Sequence, residues 1–160
     1  MMDSRARKQT LRMFSNGMYV VTSRSGSRYG AATVTWLSQA SFRPPLVMTA
    51  IRRESNAFQC LVESRVAAVH VLAHTQQELA AKFFRPTRIV DGLLNGEPFV
   101  EGKTAVPILT NAPAYVECAV RQIVDTGGDH AVVILEVADA ECREQVPPLT
   151  IAASPWEYGG

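Results

Sequence analysis

Residues 30–47 read GAATVTWLSQASFRPPLV. From Gly30 to Leu37, small and polar residues alternate with apolar ones, the pattern of a strand with one open face. Pro44-Pro45 then opens a mostly apolar strand, Leu46 to Ile51, and no helical periodicity lies between the two. Strand follows strand without a crossover helix, which favours antiparallel pairing. Upstream, Met18 to Ser23 (MYVVTS) is a third β-branched and aromatic run, closed by the polar turn Arg24–Arg28.

The same reading extends to both ends. Residues 3–16 suit a short helix capped by Asp3 or Ser4, with Leu11, Phe14 and Met18 near one face. Ser55 caps a helix that runs to about Glu63, and Arg65 to Leu72 is another apolar strand. Thr75-x-x-Glu78 has the form of a capping box for a helix that sends Leu79, Phe83 and Phe84 to the core and stops at Pro86. Residues 87–104, with Asp91-Gly92 and Asn95-Gly96, read as a loop. Residues 114–125 alternate, with Val116, Cys118 and Val120 on one face and Glu117, Ala119 and Arg121 on the other. A turn at 125–129 leads into an apolar strand from His130 to Ala140, which makes a hairpin. The tail from Leu149 to Gly160 holds a short strand. The expected class is mainly β with flanking helices: six or more antiparallel strands forming a barrel. The regular β-α alternation of a doubly wound nucleotide fold is absent.

Composition excludes more than it selects. The chain has 160 residues, 16 Lys+Arg against 15 Asp+Glu, and 47% apolar residues. That length suits a single domain over 1–160 with a continuous core. A net charge of +1 supplies no basic field for nucleic acid or an acidic membrane surface. The N-terminus (MMDSRARKQT) lacks the apolar core of a signal peptide, and no apolar run reaches membrane-span length, so the expectation is a cytoplasmic protein. Cys60, Cys118 and Cys142 are widely spaced, and His70, His74 and His130 make no metal-binding pattern, so no metal is expected. There is no G-x-G-x-x-G, P-loop or nucleophile elbow, so a bound nucleotide must be held by a barrel surface.

The chemistry concentrates in two places. Thr33, Thr35, Ser38 and Ser41 surround Trp36, and Gly30, Ala31 and Ala32 let a planar ligand approach the backbone; the same threonines also suit an ordinary edge strand. Downstream, Arg52 and Arg53 precede Ser55-Asn56 at a helix start, where amides and dipole attract a phosphate.

In order, Gly30 to Val47, Ser55-Asn56-Ala57, the V-x-V-L-x-x-x-Q-x-x-L-A-x-x-F run from Val69 to Phe83, and Gly128-Asp129-His130 resemble the flavin reductase-like, FMN-binding split barrels. The likeness covers roughly residues 10–158. The segment TWLSQASF and the terminal PWEYGG are similar to its flavoredoxin-like branch, in the stand-alone form. The resemblance implies a split β-barrel that binds FMN, with FAD less expected. It assigns the flavin to Thr33, Val34, Thr35, Trp36, Leu37 and Ser38 on one side and to Ala50, Ile51 and Arg52 on the other. Ser55, Asn56 and Ala57 would meet the phosphate or ribityl end, helped by Lys82, whose other reading is an i,i+4 pair with Glu78. Gln76 and Phe83 would lie at the rim, and His130 near flavin and nicotinamide. Trp156 and Tyr158 are core or dimer residues, or an aromatic cover for the flavin.

The implied activity is an NAD(P)H-dependent FMN reductase that passes electrons to an acceptor or partner protein. The alternative is a non-enzymatic FMN electron carrier reduced by a protein. A homodimer is implied in either case, with no separate nicotinamide domain.

Overall fold

The computed structural model describes Met1–Gly160, and its first helix starts where Asp3 takes the amides of Arg5 and Ala6 on its carboxylate. This helix, α1 (Ser4–Arg12), buries none of its side chains. The expected apolar face is therefore only partly realised: Leu11 and Phe14 are exposed, and Met18, beyond the helix, is buried.

The chain then lays down β1 (Tyr19–Ser25), β2 (Arg28–Val34), β3 (Leu37–Ser41) and β4 (Leu46–Arg52). Next come α2 (Asn56–Ser64), β5 (Val66–Val71) and α3 (Gln77–Lys82). Four short strands follow: β6 (Ile89–Val90), β7 (Leu93–Leu94), β8 (Phe99–Glu101) and β9 (Pro107–Leu109). The long hairpin β10 (Ala114–Val124) and β11 (His130–Cys142) completes the fold.

Seven strands form one antiparallel sheet in the order β2-β1-β5-β10-β11-β4-β3. The run from Gly30 to Leu37, expected as one strand, is broken at Thr35-Trp36. That break carries the fold, because β2 and β3 are neighbours in sequence yet lie at opposite edges of the sheet. A two-residue link can join the two edges only if the sheet curls round until they almost meet. The result is a split barrel, curled but not closed into one ring of hydrogen bonds. The Trp36 carbonyl anchors the break by accepting the Ala50 amide at 2.9 Å and the Thr49 hydroxyl at 3.0 Å.

Successive strand residues face opposite sides, so the sheet serves two cores. Val21, Ile51, Val69, Cys118, Val133 and Leu135 meet α2 through Ala57 and Leu61 on one side. Met18, Val20, Leu72, Leu79 and Phe83 pack with Leu149 on the other.

Three local expectations are corrected, and Glu117, read only as lying on the face opposite Cys118, proves to be buried. The helix after residue 75 has no side-chain cap, because the Gln76 Oε1 accepts the Ala73 amide, and Phe84 is exposed. The stretch 87–104 is not a plain loop: Asp91 and Gly92, at φ 52° and 74°, form the two-residue turn of the β6–β7 hairpin. Glu117 does not face solvent. Its carboxylate is buried and accepts the Lys103 and Thr104 amides and the Thr104 hydroxyl, satisfying a turn that sequence spacing does not link to it. The tail contributes no strand, only single bridges from Pro148 to Ala73 and from Thr150 to Gly17.

Candidate functional site

The break at Thr35-Trp36 and the start of α2 border the same cavity, of about 510 Å³, within the usual range for small-molecule sites. One wall is β2 and the break (Thr33, Val34, Thr35, Trp36), and another is the end of β4 (Ala50, Ile51, Arg52). Ser55 and Asn56 stand at one end, and Phe83, His130 and Trp156 complete the lining among the expected residues.

The end at the start of α2 is built largely from backbone. The Ser55 hydroxyl accepts the Phe58 amide and donates to the Arg52 carbonyl, so it is spent as an N-cap and shapes the turn rather than facing a ligand. The amides of Asn56 and Ala57 have no intrahelical partner, as in the first turn of any helix. Asn56 ties the turn to the far rim, since its Oδ1 accepts the Thr87 amide at 3.0 Å. Gly30 makes this close approach possible: a Cβ there would collide with the Asn56 carbonyl and lie 2.6 Å from the Ala57 Cα. Arg52 is exposed and paired with Glu54 at 3.2 Å, and Arg85 lies on the lining with no carboxylate partner. The site thus offers two guanidinium groups and a helix start.

The inner wall offers one free polar group. The Thr33 amide and hydroxyl are engaged by the carbonyls of Phe83 and Ala80. The Thr35 hydroxyl is buried with no partner. An orphaned hydroxyl on a lining residue, in a cavity that also holds a helix start and two cations, fits a planar heterocycle that carries a phosphate. FMN is such a molecule.

Next to Arg52 the lining is aromatic. The Trp36 ring lies 4.6 Å from the His130 imidazole and 5.1 Å from the Tyr158 ring, centroid to centroid. Trp156 meets Phe84 edge-on at 4.9 Å. His130 is held at both nitrogens, with Nδ1 2.7 Å from Asp129 Oδ1 and Nε2 2.9 Å from the Tyr158 hydroxyl. The hydrogen bond to His130 holds the Asp129 carboxyl below its ordinary pKa, and burial pushes the Tyr158 hydroxyl up. His130 faces Arg52 across the β11–β4 ladder, so the hairpin turn at 125–129 aims it at the cavity.

Five expected residues lie outside the lining. Leu37 and Ser38 fall beyond the break, on the edge strand β3. The Ala57 side chain points into the core between α2 and the sheet. Gln76 donates to the Asn111 carbonyl. The Lys82 Nζ lies 2.6 Å from Glu97, an inward-facing carboxylate that needs a counter-charge, and makes no pair with Glu78. Conversely, Arg85, Phe84 and Tyr158 line the cavity although no motif reading singled out the first. The usable signal for Arg85 was a cation directly before the helix-ending Pro86.

Comparison with known proteins identifies the family. The family described as "Flavin reductase like domain" matches residues 11–155. The FMN reductase (NADH) of Agrobacterium fabrum is 32% identical over 145 residues, covering 91% of this chain and 80% of that protein. The reductase subunit of a flavin-dependent monooxygenase from Rhodococcus jostii is 31% identical over 149 residues, covering 92% and 74%. Among solved structures, the flavin reductase component of a bacterial two-component tryptophan halogenase superposes with a TM-score of 0.78 at 25% identity, covering 98% of each chain. With a curled antiparallel sheet, a cavity at its split and a family match over nearly its whole length, the chain belongs to the flavin reductase like family.

Proposed function

We propose that the protein is an NADH-dependent FMN reductase in which flavin and nicotinamide meet in the cavity at the barrel split. The observation that carries this reading is the make-up of the cavity: a helix start with Arg52 and Arg85, a ring cluster that adjoins Arg52 through His130, and an apolar wall. FMN, when bound, supplies the redox chemistry by accepting a hydride from the nicotinamide. The chain supplies the rest. The first turn of α2 and Arg52 bind the phosphate, the Thr35 hydroxyl offers one hydrogen bond to the ring edge, and Trp36 and Ile51 exclude water from the slot. No acid or base of unusual strength is required, and the cavity contains no carboxylate pair beyond the exposed Glu54 and Glu157.

FMN is favoured over FAD by the relatives named as NADH-dependent FMN reductases. The test is anaerobic mixing of the FMN-loaded protein with NADH and with NADPH, read by flavin bleaching. Bleaching on a catalytic timescale with NADH is expected. FMN that binds but is not bleached by either nucleotide would leave a flavin electron carrier instead. Arg52→Ala should weaken FMN roughly tenfold, the loss of one charged hydrogen bond partly offset by release of Glu54. Unchanged affinity would remove Arg52 from the phosphate site.

The working form is a homodimer that delivers electrons to a separate oxygenase or other acceptor in the cytoplasm. Relatives named as reductase components of two-component enzymes support the delivery. A dimer is supported by the edge strand β3, whose turn leaves Phe42 89% exposed beside the partly open Met48. Sedimentation should give a dimer, and Phe42→Asp should shift it toward monomer; a monomeric wild-type chain at tens of micromolar would refute this.

A further inference from the structure

His130 presents no free nitrogen to the cavity. Nδ1 lies against the Asp129 carboxylate, and with the ring proton there Nε2 accepts a hydrogen bond from the Tyr158 hydroxyl. A ligand that approaches this end of the cavity therefore meets Tyr158, not His130. The Tyr158 ring also leans on Trp36, tilted by 58° to it, and occupies part of the cavity lining there.

The segment that carries Tyr158 is rooted in the core at Trp156 and clasped to the surface of α1 beyond it. Trp156 packs against the core with Met18 and Leu149 and touches Phe84, and Ser154 ties its backbone down with the Ile151 carbonyl and the Trp156 amide. Beyond Trp156 the contacts are at the surface. Glu157 pairs with Arg12 at 2.7 Å, and Arg12 also donates to the Gly159 carbonyl. Arg12 sits on α1, which buries no side chain, so the clasp joins two surface segments and is not rooted in the core. Gly159, at φ 120°, lets the last residues turn back over α1. An exposed ion pair, two hydrogen bonds and the contact with the Trp36 ring are together cheap to break.

We propose that residues 157–160 form a strap hinged after Trp156, whose Tyr158 occupies the nicotinamide side of the cavity in the ligand-free chain and must leave for the nicotinamide to reach Trp36 and His130. This rests on the flavin reading above and adds a competing element within the chain. Tyr158 acts as a stand-in for the ligand: its hydroxyl holds the imidazole in one tautomer, and its ring shields the Trp36 face from water. Entry of the dinucleotide exchanges these contacts for its own and frees the His130 Nε2.

The expected consequence is specific to one ligand. In FMN-loaded protein, Tyr158→Ala and a chain ending at Trp156 should each bind NAD⁺, used as a non-reacting probe, roughly tenfold more tightly than wild type, since a hydrogen bond and a ring contact no longer compete. FMN affinity should change less than twofold. A strap that instead walls the nicotinamide would give weaker NAD⁺ binding in both variants, and that result, or no change, overturns the proposal. A second readout needs no flavin: the His130 ring nitrogen signals of the ligand-free chain should differ between wild type and Tyr158→Phe. Identical signals would remove the clasp itself. Failure of wild type to bind FMN would instead sink the flavin reading, leaving the His130 signals to report on the strap.

Discussion

Gly30→Ala is expected to destabilise the protein by roughly 3 kcal/mol, as overpacking against a rigid backbone does. The new methyl would meet the Asn56 carbonyl and the Ala57 Cα, which belong to the first turn of α2 and have no side-chain freedom with which to yield. Either α2 withdraws from the sheet or β2 bends. Withdrawal also pulls on the hydrogen bond from Thr87 to Asn56 and so on the rim that carries Arg85. Reduced FMN affinity in the folded fraction should therefore accompany the lower stability. Gly26→Ala is the control: a Cβ there meets nothing within 4 Å, and only the φ of 59° opposes it, at about 1 kcal/mol. Urea denaturation of the two variants decides the matter, and equal losses would refute the close-approach argument.

The second large effect is an acid sensitivity centred on His70. Its imidazole is fully buried, with Nδ1 3.0 Å from the Val20 carbonyl and Nε2 accepting the Leu109 amide at 3.0 Å. Burial lowers its pKa from 6.5 to about 4, and a proton at Nε2 would face the Leu109 N–H. Above pH 6.5 the residue is neutral in both folded and unfolded chains and contributes no pH dependence. Below that, the unfolded chain takes a proton that the folded one refuses until about pH 4, so stability falls with pH across this window. At 1.36 kcal/mol per pH unit the loss is roughly 3 kcal/mol. His70→Gln, which keeps one donor and one acceptor but does not titrate, should flatten the stability profile between pH 6.5 and 4. Parallel profiles for wild type and variant would exclude His70 as the cause.

Much of the fold was legible because its signals are local. The β-branched runs, the Asp3 and Ser55 caps and the hairpin at 125–129 each depend on a few adjacent residues, and each stands close to where periodicity put it. The half of the site made of contiguous segments was equally readable: Thr33 to Trp36, Ala50 to Arg52 and Ser55-Asn56 all border one cavity. The misses depend on partners distant in sequence. Nothing near Lys82 announces Glu97, fifteen residues on, as its counter-charge. Glu117 looks like an open-face residue until the turn at 103–104 is folded onto it. Leu37 and Ser38 continue the motif in sequence, but the chain crosses from one sheet edge to the other before reaching them.

The sequence by itself determined that strands follow strands around residues 30–47, that a helix starts at Ser55, and that the motif order is that of flavin reductases. These are properties of alternation, capping chemistry and spacing, which a linear chain carries without folding. Only the tertiary structure decided that Thr35-Trp36 is a link between opposite edges, that the Thr35 hydroxyl is left without a partner, and that Tyr158 closes over His130. Those features exist because a sheet whose consecutive strands lie at its two edges must curl, and curling brings residues 36, 130 and 158 together at distances no sequence spacing encodes.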